Sequence, residues 1–316
     1  MNKKQLLKFY EQGYRDFTGV DLSGVDLSGV MLIGVSLIGA NLVGTNLSRA
    51  FLTKSDFSQA KLNRANLSFA KMSEANLTEA DLTKADLNGA FMVNSRLTKV
   101  RLSGANLANT NLRLANLLGA NICGAKLSKV NLRQANLNQT NLKWANLQQA
   151  RLTGAQLQGS LLTGANLTET FLIDIDLSST DLAGINFSHA RLTNANLSNS
   201  DLSYANLSGA QLRNANLNCA NLKGANLTEA QLRKGNLDNA NLHRAELVDA
   251  DLRGASLKQA NLSNVNLAYT DLLGANLDRA IFDPSFSEYM LANPSHFFLA
   301  HANKTTTEAR SIHLTS

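Results

Sequence analysis

Residues 17–42 run FTGVDLSGVDLSGVMLIGVSLIGANL. From Phe17 every fifth residue is apolar: Leu22, Leu27, Leu32, Leu37, Leu42 and onward to Leu277 and Phe282. All 54 stops are Leu, Phe, Met or Ile, so the phase never slips. Two residues before nearly every stop stands a small residue, as at Ala65, Ala75, Thr110 and Ser160. The residue just before the stop is often Asn or Asp, as in Ala65-Asn66-Leu67. A period of five fits neither the helix (3.6) nor the strand (2). A helix would smear these leucines around its circumference, and a flat strand would flip them to alternate faces. The pattern calls for a chain that turns a corner every five residues, and four corners close a square coil of about 20 residues.

In such a coil the central apolar residue and the small residue two before it point inward, and the other three positions face solvent. Burying each Leu contributes about 2 kcal/mol before entropy is counted. The 54 repeats make about 13.5 coils, a rod of roughly 65 Å at a strand spacing of ~4.8 Å. Proline occurs only at Pro284 and Pro294, after the last repeat, as a ladder needing every backbone N–H requires. Gly24, Gly29, Gly34, Gly39 and Gly44 recur two residues after the stop. That position is read as a turn, where glycine tolerates positive φ.

The tandem A(D/N)LXX pattern resembles the pentapeptide repeat family, and the likeness covers nearly the whole chain. The resemblance implies an all-β fold, a right-handed quadrilateral parallel β-helix. The lead-in Leu6-Leu7-Lys8-Phe9-Tyr10-Glu11-Gln12-Gly13-Tyr14-Arg15-Asp16-Phe17 is similar to that of cyanobacterial members. Some of those act on regulators of cell differentiation by direct contact, and related proteins dimerise end to end through the C-terminal region. Other members bind type II topoisomerases by imitating DNA with a strongly acidic surface.

Three segments are expected: a capping helix within 1–15, the repeat coil over 16–283, and a C-terminal cap or tail over 284–316. Over residues 3–14, Leu6, Leu7, Tyr10 and Tyr14 are placed on one helical face, with Gly13 as the stop. Residues 285–291 are expected to form a second short helix, read either as a lid or as a homodimer contact, and 303–316 are expected to be disordered. The N-terminus lacks the apolar core and cleavage site of a secretory signal, and no apolar run is long enough for a membrane span. Cys123 and Cys219 are 96 residues apart, almost five coils, too far to pair. A cytoplasmic location is expected.

Function is sought on the outward positions. Stepping by 20 from Arg113 gives Arg133, Thr153, Ile173, Thr193, Arg213, Arg233 and Arg253. Arg151 and Arg191 fall on the same face, as do Phe51, Phe91 and Phe171, with Met31, Ile33 and Val93 beside them. Stacked like charges ~4.8 Å apart repel by about 0.9 kcal/mol in water. Exposed Phe beside Arg is the composition of interface hot spots. This face is therefore the candidate docking surface for an acidic or amphipathic protein partner. The alternative is a merely solvated face.

The net charge is +6. Residues 1–15 carry +3 and 283–316 carry −1, leaving +4 on the repeats. No Asp or Glu lies between Asp86 and Glu169, whereas Asp16, Asp21 and Asp26 precede the first basic repeat residue, Arg49. A basic rod imitates DNA poorly, which disfavours the gyrase-binding alternative. The central basic belt spreads over all four faces, which disfavours nucleic-acid binding. The five histidines (His189, His243, His296, His301 and His313) lack metal-ligand spacing, and no phosphate loop appears. No catalytic residue, cofactor or metal is expected. The reading is a non-catalytic interaction scaffold meeting a protein partner at an outward face or an end.

Overall fold

An inward pair every five residues obliges the backbone to turn after each pair. The computed structural model, which describes residues 1–283, shows how it turns. The residue two after each central position has φ near +60°, including Arg49 (57°), Trp144 (60°) and Tyr204 (56°). Gly24, Gly29, Gly34, Gly39 and Gly44 take this positive φ as expected, but most of these turn positions hold other residues, so the turn does not depend on glycine. A left-handed residue costs an L-amino acid about 1–2 kcal/mol, and the bonds around the corner offset it. Ala65 N–H donates to Leu62 O (3.0 Å), and the turn residue Arg64 donates to Thr83 O in the next coil (3.1 Å).

Successive coils pair in parallel at a step of 20, from Asp16↔Ser36 to Asn261↔Ile281. Leu67 N–H donates to Asp86 O (2.6 Å) and Asp86 N–H to Ala65 O (2.9 Å). The result is a quadrilateral parallel β-helix. Its faces are numbered by the central residue that opens each: first (Phe17, Leu37), second (Leu22, Leu42), third (Leu27, Leu47) and fourth (Leu32, Leu52). The core is a continuous column of these residues with the small ones between them, nearly all fully buried. Buried hydroxyls find backbone acceptors, Thr45 Oγ1 donating to Leu22 O (2.8 Å) and Thr110 Oγ1 to Leu87 O (2.9 Å), as burial of a polar group requires.

The ladder is interrupted between the coil carrying 154–164 and the next. Among the described residues, the bridges that would join 156 to 176 and 161 to 181 are not formed. The N–H groups of Leu157, Gly159, Leu162, Gly164, Asp176 and Asp181 make none of the usual coil-to-coil bonds. The interruption is centred on the first and second faces and ends at the corners beside them, where the N–H groups of Gly154 and Asn186 also miss their usual coil-to-coil bonds. On the third face Leu167 N–H still reaches Asn186 O (2.9 Å), and on the fourth Leu152 N–H reaches Phe171 O (2.9 Å).

The N-terminal helix α1 (Lys3–Glu11) caps the first coil. Asn2 and Gln5 form a reciprocal capping box, which satisfies two otherwise open donors. At the other end Tyr14 N–H bonds Phe9 O (3.0 Å) and Gly13 N–H bonds Tyr10 O (3.0 Å), with Gly13 at φ +93°; this is a Schellman stop. Leu6 is fully buried and Leu7 and Tyr10 pack against the core, while Tyr14 does not join them. Tyr14 lies past the stop and packs edge-on against the exposed Phe9, ring centroids 5.5 Å apart. The helix is thus shorter than the expected 3–14. The second helix, the lid or dimer contact, the disordered tail and His296, His301 and His313 lie outside the described residues.

Candidate docking face

The fourth face carries all ten candidate residues, in two outward columns. Phe51, Phe91, Arg151, Phe171 and Arg191 occupy the pairing column just before the central residue, and Arg113, Arg133, Arg213, Arg233 and Arg253 the column just after it. The face divides into three stretches along the rod.

Nearest α1 the face is apolar. Met31, Ile33, Phe51 and Phe91 are exposed. The Tyr10 hydroxyl accepts from Ile33 N–H (3.2 Å), which ties the cap to this patch. Lys71 Nζ sits 3.5 Å from the centroid of the Phe91 ring, so a cation covers part of the apolar surface.

At the far end the arginines are neutralised. Arg253 makes a two-pronged contact with Asp251 (Nε to Oδ1, 2.8 Å; Nη2 to Oδ2, 2.7 Å) and lies 3.1 Å from Asp271 Oδ2. Arg233 Nε lies 2.6 Å from Asp251 Oδ2 but is not aligned to hydrogen-bond it. Two arginines thus face two aspartates. The expected basic column is cancelled here, and the cost of stacking like charges does not arise. Arg213, Arg133 and Arg113 are exposed and make no ion pair among the described residues.

In the middle the structure brings Arg151, Phe171 and Arg191 together. The Phe171 ring lies between the two guanidinium groups, 5.9 Å from Arg151 Cζ and 4.4 Å from Arg191 Cζ. They form one wall of an open recess of about 710 Å3 at the corner of the third and fourth faces. The other wall is the turn column of the third face: Lys129, Gln149, Glu169 and His189. Glu169 accepts from Gln149 Nε2 (2.7 Å), so the acidic group of the recess is already engaged, while two arginines flank the ring and Lys129 lines the recess. Asn131 and Gln211 close the ends. The sequence reading missed the turn-column residues. The signal was available, because 129, 149, 169 and 189 step by 20 beside 131, 151, 171 and 191.

Elsewhere on the surface, aromatic turn residues lie flat over glycines one coil on. Trp144 covers Gly164, where an added Cβ would stand 2.2 Å from the indole, and Tyr204 covers Gly224. The basic belt is partly compensated, with Arg101 Nη2 2.8 Å from Asp81 Oδ2. Among the described residues no group of three or more His, Cys, Asp or Glu could hold a metal ion. No described helix is long and apolar enough to cross a membrane.

The family model for pentapeptide repeats matches ten stretches, from 16–53 to 245–283, the first eight overlapping. No curated protein matches. Among solved structures, the chain is 33% identical to HetL, a pentapeptide repeat protein involved in heterocyst differentiation regulation from the cyanobacterium Nostoc sp. strain PCC 7120; the match covers 81% of this chain and 97% of HetL, with a TM-score of 0.34. It is 32% identical to Rfr23 from the cyanobacterium Cyanothece 51142, over 36% of this chain and 91% of that one, with a TM-score of 0.35. A plasmid-mediated fluoroquinolone resistance protein, QnrB1, is 18% identical over 74% of this chain and 94% of its own, with a TM-score of 0.25. The unbroken five-residue period, the four-sided ladder and the family match along the repeats agree, and the chain belongs to the pentapeptide repeat family, whose members form right-handed quadrilateral β-helices.

Proposed function

We propose that this protein is a non-catalytic interaction scaffold with a regulatory role, a rod that docks a protein partner on its fourth face. Family members are generally structural or interaction scaffolds, and HetL is involved in the regulation of differentiation. The observation that carries the reading is the Phe171 ring held between Arg151 and Arg191 in an open recess. Aromatic and arginine side chains dominate interface energetics, and here they stand ready-made on a rigid ladder, which lowers the ordering cost of binding. The exposed Met31, Ile33, Phe51 and Phe91 extend the same face toward α1. A cytoplasmic setting belongs to this proposal, supported by the free Cys123 and Cys219. The free arginines of the fourth face weigh against an acidic DNA mimic.

The test is affinity capture from the native cell extract with the intact protein and with a Phe91→Ala/Phe171→Ala/Arg151→Ala/Arg191→Ala variant, whose fold is checked by circular dichroism. A partner retained by the intact protein and lost by the folded variant is expected. A partner held equally by both would remove the fourth face as the docking surface.

A further inference from the structure

From Val20 to Ala280 the small inward position two before each central residue holds Gly, Ala, Ser, Thr or Val, with two exceptions, Ile175 and Ile185. Both lie in the coil whose ladder to its predecessor is broken. Ile175 stands at the corner entering the first face and Ile185 at the corner leaving the second. These corners bound the two faces whose bridges are missing. Ile175 and Ile185, both buried, follow Ala155 and Ala165 by one coil at the same corners, and each carries one methylene more than the Val found at this position elsewhere. Overfilling a close-packed interior forces backbone shifts. The two coils have parted where the isoleucines push and stay joined where they do not.

The parting is real but narrow. Ala155 is 8% exposed and Ser160 6%, against 0% for their counterparts one coil earlier, Ala135 and Thr140. Leu157 and Leu162 remain buried at 3% and 2%. The slot of about 390 Å3 between the coils is too thin for an inserted strand, which needs two ladder spacings, roughly 9.6 Å.

A stack parted on two adjacent faces and held on the other two is a wedge, and it leans the rod toward the held corner. That corner, between the third and fourth faces, is where the basic–aromatic recess lies. The recess spans the same coils, since Arg151 precedes the break and Phe171 and Arg191 follow it. We propose that the Ile175–Ile185 wedge is a bending joint that shapes the recess into a clamp for an acidic segment of a partner protein. Its carboxylates meet Arg151 and Arg191, two coils apart, and an apolar side chain covers Phe171. This deepens, and rests on, the docking role proposed above. Charge complementarity selects the occupant, because Lys129, Arg151 and Arg191 line the recess and Glu169 is already bonded to Gln149. Because the joint and the recess are coupled, whatever closes the seam weakens the clamp, and binding in turn biases the joint.

The test uses the full chain and a fluorescein-labelled peptide of sequence EELEELEE at low salt, with a KKLKKLKK peptide as control. An Ile175→Val/Ile185→Val variant removes one methylene at each wedge; Val already occupies this position at Val100 and Val130, so the variant keeps the fold. It is expected to slow amide hydrogen exchange at Leu157, Gly159 and Leu162 by tenfold or more and to weaken the acidic peptide at least fivefold. An Arg151→Glu/Arg191→Glu variant is expected to abolish peptide binding and leave exchange at the seam unchanged. Unchanged exchange in the valine variant would overturn the wedge. Slower exchange with unchanged peptide affinity would overturn the coupling. Preference for the basic peptide, or no binding of the acidic one, would overturn the occupant. In each of these cases a cellular partner lost by the alanine variant of the fourth face would still uphold the docking role.

Discussion

At the scale of single residues, each repeat closes on itself through the residue before the Leu. Asp56 Oδ1 accepts from Ser58 N–H (2.8 Å), and its Oδ2 accepts from Asn76 Nδ2 one coil on (3.0 Å). Asp81 and Asp201 repeat the arrangement with Thr83 and Ser203 (3.0 and 2.9 Å). Partial burial pushes these carboxyls up, but hydrogen bonds from the residues two on and from neighbouring asparagines outweigh it, and all three lie below the ordinary value of 3.8. With the folded value depressed, the unfolded chain binds more protons as the pH falls below about 4, and stability is lost through that window. Thermal melts between pH 7 and pH 2.5 should show this loss. A triple Asp56→Asn, Asp81→Asn and Asp201→Asn variant should flatten it, because Asn serves the same turn at Asn66 and Asn76 without titrating. Inside the coil the stakes are larger. Leu62, fully buried, should cost about 2–5 kcal/mol as Leu62→Ala, read as a drop in urea midpoint. Leu62→Asp should not fold, since its charge would find no partner there.

At the scale of elements, the period of five made the coil and its core readable, because a corner every five residues keeps all 54 stops facing one axis, and the resemblance to the pentapeptide repeat family supplied the four sides and hence the outward columns at a step of 20. The readable part ended where one neighbour or one methylene decides. Tyr14 has the helical spacing of Leu6 and Tyr10, yet the stop at Gly13 comes first and removes it from the face. Arg233 and Arg253 read as basic because a step of 20 lines up arginines; their aspartates stand in the adjacent column. The recess needs two columns from two faces, and the seam turns on Ile where Val would pass. The cap itself tests the element scale. Among the described residues, α1 is what precedes the first coil, and it covers the core there through Leu6, Leu7 and Tyr10. Asn2→Ala should cost about 1 kcal/mol by loss of the N-cap. Leu6→Asp should detach the helix. Hydrogen exchange would then rise at Phe17 N–H and Leu22 N–H, which bond to Ser36 O and Asn41 O, while coils beyond the third stay protected. Uniformly raised exchange along the rod would show instead that the cap stabilises the whole stack.

At the scale of the molecule, stability is a chain of nearest-neighbour contacts, because each coil touches only the coils before and after it. Such a stack melts as one unit only while every interface is strong enough to transmit unfolding. The weakest described interface is the seam, which lacks the coil-to-coil bonds of Leu157, Gly159, Leu162, Gly164, Asp176 and Asp181. Each missing bond forgoes about 0.5–1.5 kcal/mol, several kcal/mol in sum, at a junction where Ala155 and Ser160 are also slightly exposed. The α1-capped stack up to the seam and the stack beyond it should therefore behave as separate cooperative units. Calorimetry is expected to resolve two transitions, and limited proteolysis of partly heated protein should cut first on one side of residues 157–181. In the Ile175→Val/Ile185→Val variant the ladder can close, and the two transitions should merge into one. A single transition in the unmodified protein, with calorimetric and van't Hoff enthalpies equal, would show that the intact third and fourth faces suffice to carry cooperativity across the break.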